Sequence, residues 1–593
     1  MTISENICIN STLGDIVMMK YFCTATWKEK CCNILACIDK NKTFIILVLA
    51  WFICVMHPLL HTGVILNDEV QALFERQNGY FALLERNVGC ELAQGRPLRI
   101  MAAFNSSLSF LSSNMVINRG IQIFILGITA VSLAAFVKKL FLNSFISCMT
   151  AILFLVCMPI TFEHAVPNAF VGLVCIPLIC LCWSLYFWIE YIKSHSKKTL
   201  ILSMFFWILA LCGYEFVVMY TPVFIFIYLY ICGIGKKWYS IVHSNMLPIV
   251  IGAIYIVCTL IIQSLCGVGY SGVKIQFESV SSSWAIIKTI VYSSIPGYFI
   301  TNPKYLYLCS VYSDDNFAKA VMQIFDEHTL LDCGRLLNLL IREVVSIDVI
   351  IMVLLTILLI MFITSHTRCE KFSNRKQILS VVVFGLYMIF PIIPNSITSL
   401  YQGHVTYENF TSLPVSTFVF ASECVLISIL IQRFRDINKW IKYSFCIGGL
   451  IIVFIIQYMN VMFASVHASN YHRVVTIERL FKTEIFKNMN GSVIYSPDIL
   501  VRKNALELGD NYWNEIAKKE GLNFNVLKKG DSNVKLFYVD DKYFCIVDHD
   551  KKMLISEKPI KDNVVFKIDD DHYIMVKVGN PSADNGLYVY SVY

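Results

Sequence analysis

Between Phe44 and Ala464 the chain carries a succession of apolar runs, each of roughly 17 to 23 residues, separated by polar stretches of varied length. A helix of about 20 apolar residues crosses the roughly 30 Å of hydrocarbon in a bilayer. One compact core cannot bury so many such runs. The charged content agrees: it is 15%, where a soluble domain carries about 25%. The runs read as an α-helical polytopic membrane protein of about eleven transmembrane helices.

The basic residues fall at the ends of runs and set the orientation. Lys28, Lys30, Lys40 and Lys42 precede the first span, about 44–60, so residues 1–42 read as a cytoplasmic arm. No signal peptide with its own small-residue cleavage site is recognisable there. Spans follow at about 120–137, 145–162 and 168–190, with Lys138-Lys139 and then Lys193, Lys197 and Lys198 on the inner side. Residues 200–235 are too long for one helix and short for two. Gly213-Tyr214-Glu215 interrupts them and Pro222 follows, which fits two spans with a polar break or a re-entrant pair. Further spans are expected at about 246–265, 347–364, 377–394, 414–431 and 443–464. Arg368, Lys371, Arg375 and Lys376, then Arg433, Arg435, Lys439 and Lys442, keep the alternation and place the C-terminus outside. The transmembrane domain is therefore 43–466, with external loops at 61–105 and 266–346. The net charge of +7 comes from these span ends, so it does not point to nucleic acid.

Residues 467–593 differ. Short β-prone runs at Val534–Val539, Tyr543–Val547, Val564–Ile568, Tyr573–Val578 and Leu587–Val592 alternate with Asp- and Gly-containing turns, after a helix expected around Ala505–Lys519. They read as a small external C-terminal α+β domain. The 22 cysteines make no zinc or disulfide framework, because many, such as Cys54, Cys148 and Cys175, lie inside apolar runs as small hydrophobes. Cys309 and Cys333 share one expected outer loop and are candidates for pairing.

The candidate chemistry gathers in the first external loop, Asn67 to Arg99. Asp68-Glu69 follows the first span directly. A carboxylate pair at a membrane face can act as a general base or hold a cation; equally, Asn67 can cap a helix whose first turn favours acids. Val70, Leu73, Phe74, Phe81 and Leu84 would form the apolar face of that helix along the interface, with turns at Gly79 and Gly89. Gly95-Arg96-Pro97 closes the loop with Arg99 beside it. An arginine fork matches a phosphate, either of a ligand or of the surrounding lipid. Arg119, at the mouth of the next span, is a phosphate ligand or a snorkelling anchor. Tyr214 and Glu215 mark a polar group at membrane depth, which is costly unless it is paired or faces water. Glu163-His164 occupies a short outer turn that is solvated or contributes His164 to a site. Tyr401, His404, Tyr407 and Glu408 form an outer loop that could face a sugar.

This combination resembles the GT-C superfamily of membrane glycosyltransferases. It carries an acidic pair just past the first span, a Gly-Arg-Pro step at the end of the first external loop, and many spans with an external tail. Within that superfamily it looks most like the bacterial O-antigen glucosyltransferases of the glucosyltransferase II type. In that family the acidic pair corresponds to Asp68-Glu69 and the Gly-Arg step to Gly95-Arg96, although the pair is more often Asp-Asp. The resemblance implies an enzyme of the bacterial inner membrane that takes a hexose such as glucose from a polyprenyl-phosphate donor. The acceptor would be a cell-surface glycan or lipid on the outer face. Asp68 would be the base with Glu69 second, Arg96 the first phosphate ligand with Arg99 and Arg119 behind it, and Glu215 a sugar ligand. A paired acid of this kind works either with Mg²⁺ or Mn²⁺ or without metal. Two other readings remain at this stage: a transporter or flippase of lipid-linked glycans, and an O-antigen-type polymerase or ligase.

Overall fold

The computed structural model describes residues 42–60, 62, most of 69–158, 171–233, 238–266, 279–284, 287, 347–367, 374–397, 414–434, 446–458, 460, 461 and 464, together with nine strands between 493 and 591. The chain divides into two compact units. The first comprises 1–60, 76–302 and 340–462; the second comprises 61–75, 303–339 and 463–593.

The first unit is helical. In chain order it contains α1 (Lys42–Leu60), α2 (Tyr80–Ala93), α3 (Ile100–Leu108), α4 (Met115–Phe141), α5 (Ser144–Val156), α6 (Val171–Ser194), α7 (Lys197–Gly213), α8 (Thr221–Cys232), α9 (Trp238–Ser244) and α10 (Met246–Cys266). Then come α11 (Ile347–His366), α12 (Asn374–Leu386), α13 (Pro414–Phe434) and α14 (Cys446–Tyr458). Six stretches among the described residues are long and apolar enough to cross a bilayer: 115–141, 171–194, 215–232, 246–265, 374–392 and 415–433. Four shorter apolar helices, α1, α5, α14 and the central part of α11, accompany them.

Local signals explain the helix ends. Asn114 starts α4 by accepting from the Val116 amide (2.9 Å), so the helix begins earlier than its apolar run. Lys138 and Lys139 lie in its last turn, where cations meet the helix dipole. Leu142, at φ +56°, turns the chain into α5, which Asn143 caps. The sequence predicts a span here as far as residue 162, but α5 stops at Val156. Pro159 is the reason: the residue before a proline is disfavoured in the helical region, and proline offers no amide to the previous turn. The carbonyls left over at this end are taken by side chains of a distant segment. Gln457 donates to Val156 O and Asn460 to Met158 O.

Polar contacts between apolar helices fix the packing. Ser184 of α6 and Ser203 of α7 each donate to the other's carbonyl, at 2.9 and 2.8 Å. Trp51 of α1 donates to Thr356 of α11 (2.9 Å). Such bonds contribute roughly 0.6 kcal/mol on average in a membrane protein, so they set register more than overall stability.

The second unit contributes a seven-stranded sheet and a separate hairpin. The sheet order is β2-β1-β3-β4-β5-β9-β8. β1 (Val493–Tyr495) is parallel to β2 (Asn525–Leu527) and β3 (Val534–Tyr538); β4 (Phe544–Asp548), β5 (Met553–Ser556), β9 (Leu587–Ser591) and β8 (Ser582–Asp584) continue antiparallel. β6 (Val564–Lys567) and β7 (Tyr573–Val576) pair with each other. The five β-prone runs of the sequence coincide with β3, β4, β6, β7 and β9.

Candidate functional site

The site is built on a corner and a break. The corner follows α2. Gly79, at φ +119°, precedes the helix, whereas Gly89 lies inside it and produces no turn. A Cβ at Gly89 would meet nothing within 4 Å. Phe81, expected on the apolar face, is exposed, and Leu83 is the buried residue of α2. At the C-terminal end the Gly95 amide bonds to Leu92 O (2.9 Å) and the Arg96 amide to Glu91 O (2.9 Å), with Gly95 at φ +68°. This is the Schellman pattern, in which a left-handed residue, usually glycine, closes the helix. Pro97 then opens a 3-10 turn, Pro97–Arg99, that leads into α3.

The break lies between α7 and α8. Helix α7 ends at Gly213, Tyr214 is extended (φ −159°), and a 3-10 segment, Glu215–Tyr220, precedes α8. Pro222 explains the offset. It has no amide for Val218 O, and the Thr221 hydroxyl donates to that carbonyl instead (2.6 Å).

Close backbone packing brings corner and break together. The Gly172 amide at the start of α6 donates to Ser109 Oγ just after α3 (3.0 Å), and a Cβ on Gly172 would lie 1.9 Å from Asn105 O. A Cβ on Gly213 would lie 2.5 Å from Pro177 and 3.3 Å from the Asn105 amide nitrogen. Asn87 of α2 donates to Ser107 of α3 (2.9 Å). With α3 seated this closely on α6 and α7, the Arg96–Arg99 turn falls beside Tyr214-Glu215.

Four residues singled out in the sequence therefore meet. Arg96 Nε donates to Glu215 Oε1 (2.6 Å), and its Nη1 donates to Gln94 (3.0 Å). Arg99 Nη1 lies 3.3 Å from Glu215 Oε2, and its guanidinium sits 4.4 Å over the Tyr214 ring. A fifth member, Glu91, is missed by the sequence reading; its Oε1 lies 3.6 Å from Arg99 Nη2. All are largely withdrawn from solvent, Arg99 to 4% side-chain exposure and Glu215 to 19%. The Tyr255 hydroxyl of α10 is within electrostatic reach of Arg99.

The charges are balanced but incompletely hydrogen-bonded. Among the described residues, Arg99 Nε and Nη1 and Glu91 Oε2 are buried without a hydrogen-bond partner. Burial raises the Glu91 carboxyl above its usual range, although Arg99 and Arg96 pull it down. For Arg99 burial acts to lower the pKa, but Glu215, Tyr214 and Glu91 outweigh it, so the guanidinium stays charged.

The other expected site residues fall elsewhere. Asp68 and His164 lie outside the described residues, as do Cys309, Cys333 and the 401–408 loop. Glu69 is fully buried and belongs to the second unit. Arg119 is 1% exposed, which removes the snorkelling anchor, and its Nη1 donates to Gln122 (2.7 Å). Among the described residues no three His, Cys, Asp or Glu side chains gather as a metal site. Glu91 and Glu215 both face guanidinium groups, so this cluster does not suit a divalent cation.

The long apolar helices define an α-helical, membrane-embedded protein with a buried Arg–Glu cluster at a helix break. No protein-family model, no curated protein and no solved structure matches the chain.

Proposed function

We propose that the protein is an integral membrane glycosyltransferase of GT-C type with about eleven spans, which moves a hexose such as glucose from a polyprenyl-phosphate donor to a surface glycan or lipid. Its place is the bacterial inner membrane, with the N-terminus cytoplasmic and the C-terminal domain outside. The observation that carries the reading is the pair of buried arginines at the corner after α2. Two guanidiniums withdrawn from water, with donors unmade on Arg99, suit a phosphate leaving group better than they suit fold stability alone. The acceptor hydroxyl attacks the anomeric carbon as the bond to the phosphate oxygen breaks. The electron pair leaves on the lipid phosphate beside the arginines and a carboxylate base takes the hydroxyl proton, the role that the sequence resemblance gives first to Asp68 and second to Glu69. A single displacement inverts the anomeric configuration. No step is routed through a metal ion.

A transporter of lipid-linked glycans is the second reading. Glu423, buried as the tenth of the 21 residues of α13, favours it, because mid-span carboxyls mark transport pathways. Mass spectrometry of surface glycans from cells with and without the gene separates the two. Loss of one hexose, reproduced by Asp68→Asn at normal membrane levels, supports the transferase. Lipid-linked glycan accumulating inside the cell supports transport. Full hexose addition by Asp68→Asn removes Asp68 as the base.

A further inference from the structure

The sequence reading gives the sugar to Glu215 and the phosphate first to Arg96. In the structure both are already committed. Glu215 uses one oxygen on Arg96 and the other on Arg99, and Arg96 spends its Nε on Glu215 and its Nη1 on Gln94. The unmet capacity lies on their neighbours in the cluster. Arg99 Nε makes no hydrogen bond, its Nη1 meets Glu215 only as a 3.3 Å ion pair without a hydrogen bond, and Glu91 keeps one oxygen without a hydrogen-bond partner, among the described residues. The two side chains approach through their other atoms, Arg99 Nη2 to Glu91 Oε1 at 3.6 Å, on a helix end and a turn that the Schellman corner holds together. A buried polar group without a partner is costly, so an orphaned donor set beside an orphaned acceptor describes a ligand that brings both complements. A phosphoryl oxygen next to a sugar hydroxyl does so; a bare phosphate satisfies only the arginine.

We infer that Arg99 binds the donor's phosphate and that Glu91 is the specificity-determining residue that accepts a hydrogen bond from a hydroxyl of the attached sugar, while Glu215 and Arg96 hold Arg99 in place. This rests on the glycosyltransferase reading above. Glu91 is fit for the task because the Schellman turn fixes its backbone and burial excludes water as a competitor. Its role differs from that of Glu215. Loss of Glu91 removes one ligand contact, whereas loss of Glu215 removes the carboxylate shared by Arg96 and Arg99 and leaves Arg99 with Glu91 alone.

The test uses the full chain in nanodiscs and two probes, undecaprenyl phosphate and undecaprenyl-phosphate glucose, with binding read from tryptophan fluorescence. The native protein binds the glycosylated lipid the more tightly, by about tenfold or more, the size of one hydrogen bond to a charged group. Glu91→Ala abolishes that preference, so that the two lipids bind with affinities within about twofold of each other. Glu91→Gln, which keeps the shape and an acceptor oxygen, retains part of the preference. Glu215→Gln weakens both lipids together. The inference is overturned if Glu91→Ala keeps the full preference, or loses both lipids equally. Native protein that binds the two lipids equally well overturns the Glu91 role while leaving the phosphate site standing. Native protein that binds neither lipid overturns the glycosyltransferase reading along with it.

Discussion

Glu215→Gln is the most informative single change, because one carboxylate neutralises two guanidiniums. Its oxygens lie 2.6 Å from Arg96 Nε and 3.3 Å from Arg99 Nη1. The amide keeps the shape and one acceptor but removes the charge. Arg96 and Arg99 are 8% and 4% exposed, so water cannot replace it. Removing one partner of a buried ion pair costs roughly 3–5 kcal/mol, since the other charge stays buried and unpaired. Glu215 is itself 19% exposed, and Glu91 still faces Arg99, so the lower end, about 3 kcal/mol, is the reasoned value. At roughly 2 °C per kcal/mol for a large helical unit, the melting temperature should fall by about 6 °C. Thermal unfolding in detergent, followed by tryptophan fluorescence, measures this directly. A double mutant isolates the pair: Arg96→Gln with Glu215→Gln should be less destabilised than the sum of the singles by about 1–3 kcal/mol. A melting temperature within about 1 °C of native for Glu215→Gln, or additive singles, would falsify the claim that this carboxylate holds the cluster together.

Other consequences are sharper in sign than in size. Gly172→Ala places a methyl 1.9 Å from the Asn105 carbonyl, which is backbone and cannot rotate away; it should cost about 1–3 kcal/mol or more and lower ligand binding by shifting α3, read by melting and lipid binding together. The raised Glu91 carboxyl means that the folded state holds a proton the unfolded chain has already released. Stability should therefore fall as pH rises from the ordinary value of 4.5 towards the raised one. Melting temperatures across that window should decline more steeply for the native protein than for Glu91→Gln, and parallel curves would contradict the shift. Glu423 Oε2 is buried with no hydrogen-bond partner among the described residues, so Glu423→Met should leave the melting temperature unchanged or raise it; a fall of several degrees would mean that the carboxyl has a structural partner.

The membrane character and the break at Gly213-Tyr214-Glu215 were legible because each is a local statement. An ionisable residue inside an apolar run, followed by a proline, is anomalous without any knowledge of neighbours. Gly89 shows the opposite: a glycine whose added side chain would meet only open space looks like a breaker in sequence and is tolerated in a helix. The meeting of Arg96 with Glu215 spans 119 positions and depends on two glycines, Gly172 and Gly213, that let α3 approach α6 and α7. No periodicity announces such an approach. Glu91 was hidden for a different reason. On an amphipathic helix it looks like any solvated acid, and only the C-terminal corner shows that it stands beside the arginines.

The Gly-Arg-Pro step divides along the same line. Gly95 adopts φ +68° because the helix must close there, and Pro97 sits in the first turn of the next segment, where its missing amide costs nothing. Backbone geometry therefore accounts for two of the three residues without any ligand. It does not account for Arg96, since the position after a Schellman glycine accepts many side chains. A medium-sized apolar residue there would spare the desolvation of a guanidinium. The chain instead buries Arg96 on Glu215, adds Arg99 on the same carboxylate, and leaves part of Arg99 unsatisfied. A fold selected only for stability would have little use for that arrangement, because apolar residues of similar volume are often as stable as a buried ion network, or more so. The arginines, not the glycine and proline around them, are where the motif's demand is chemical.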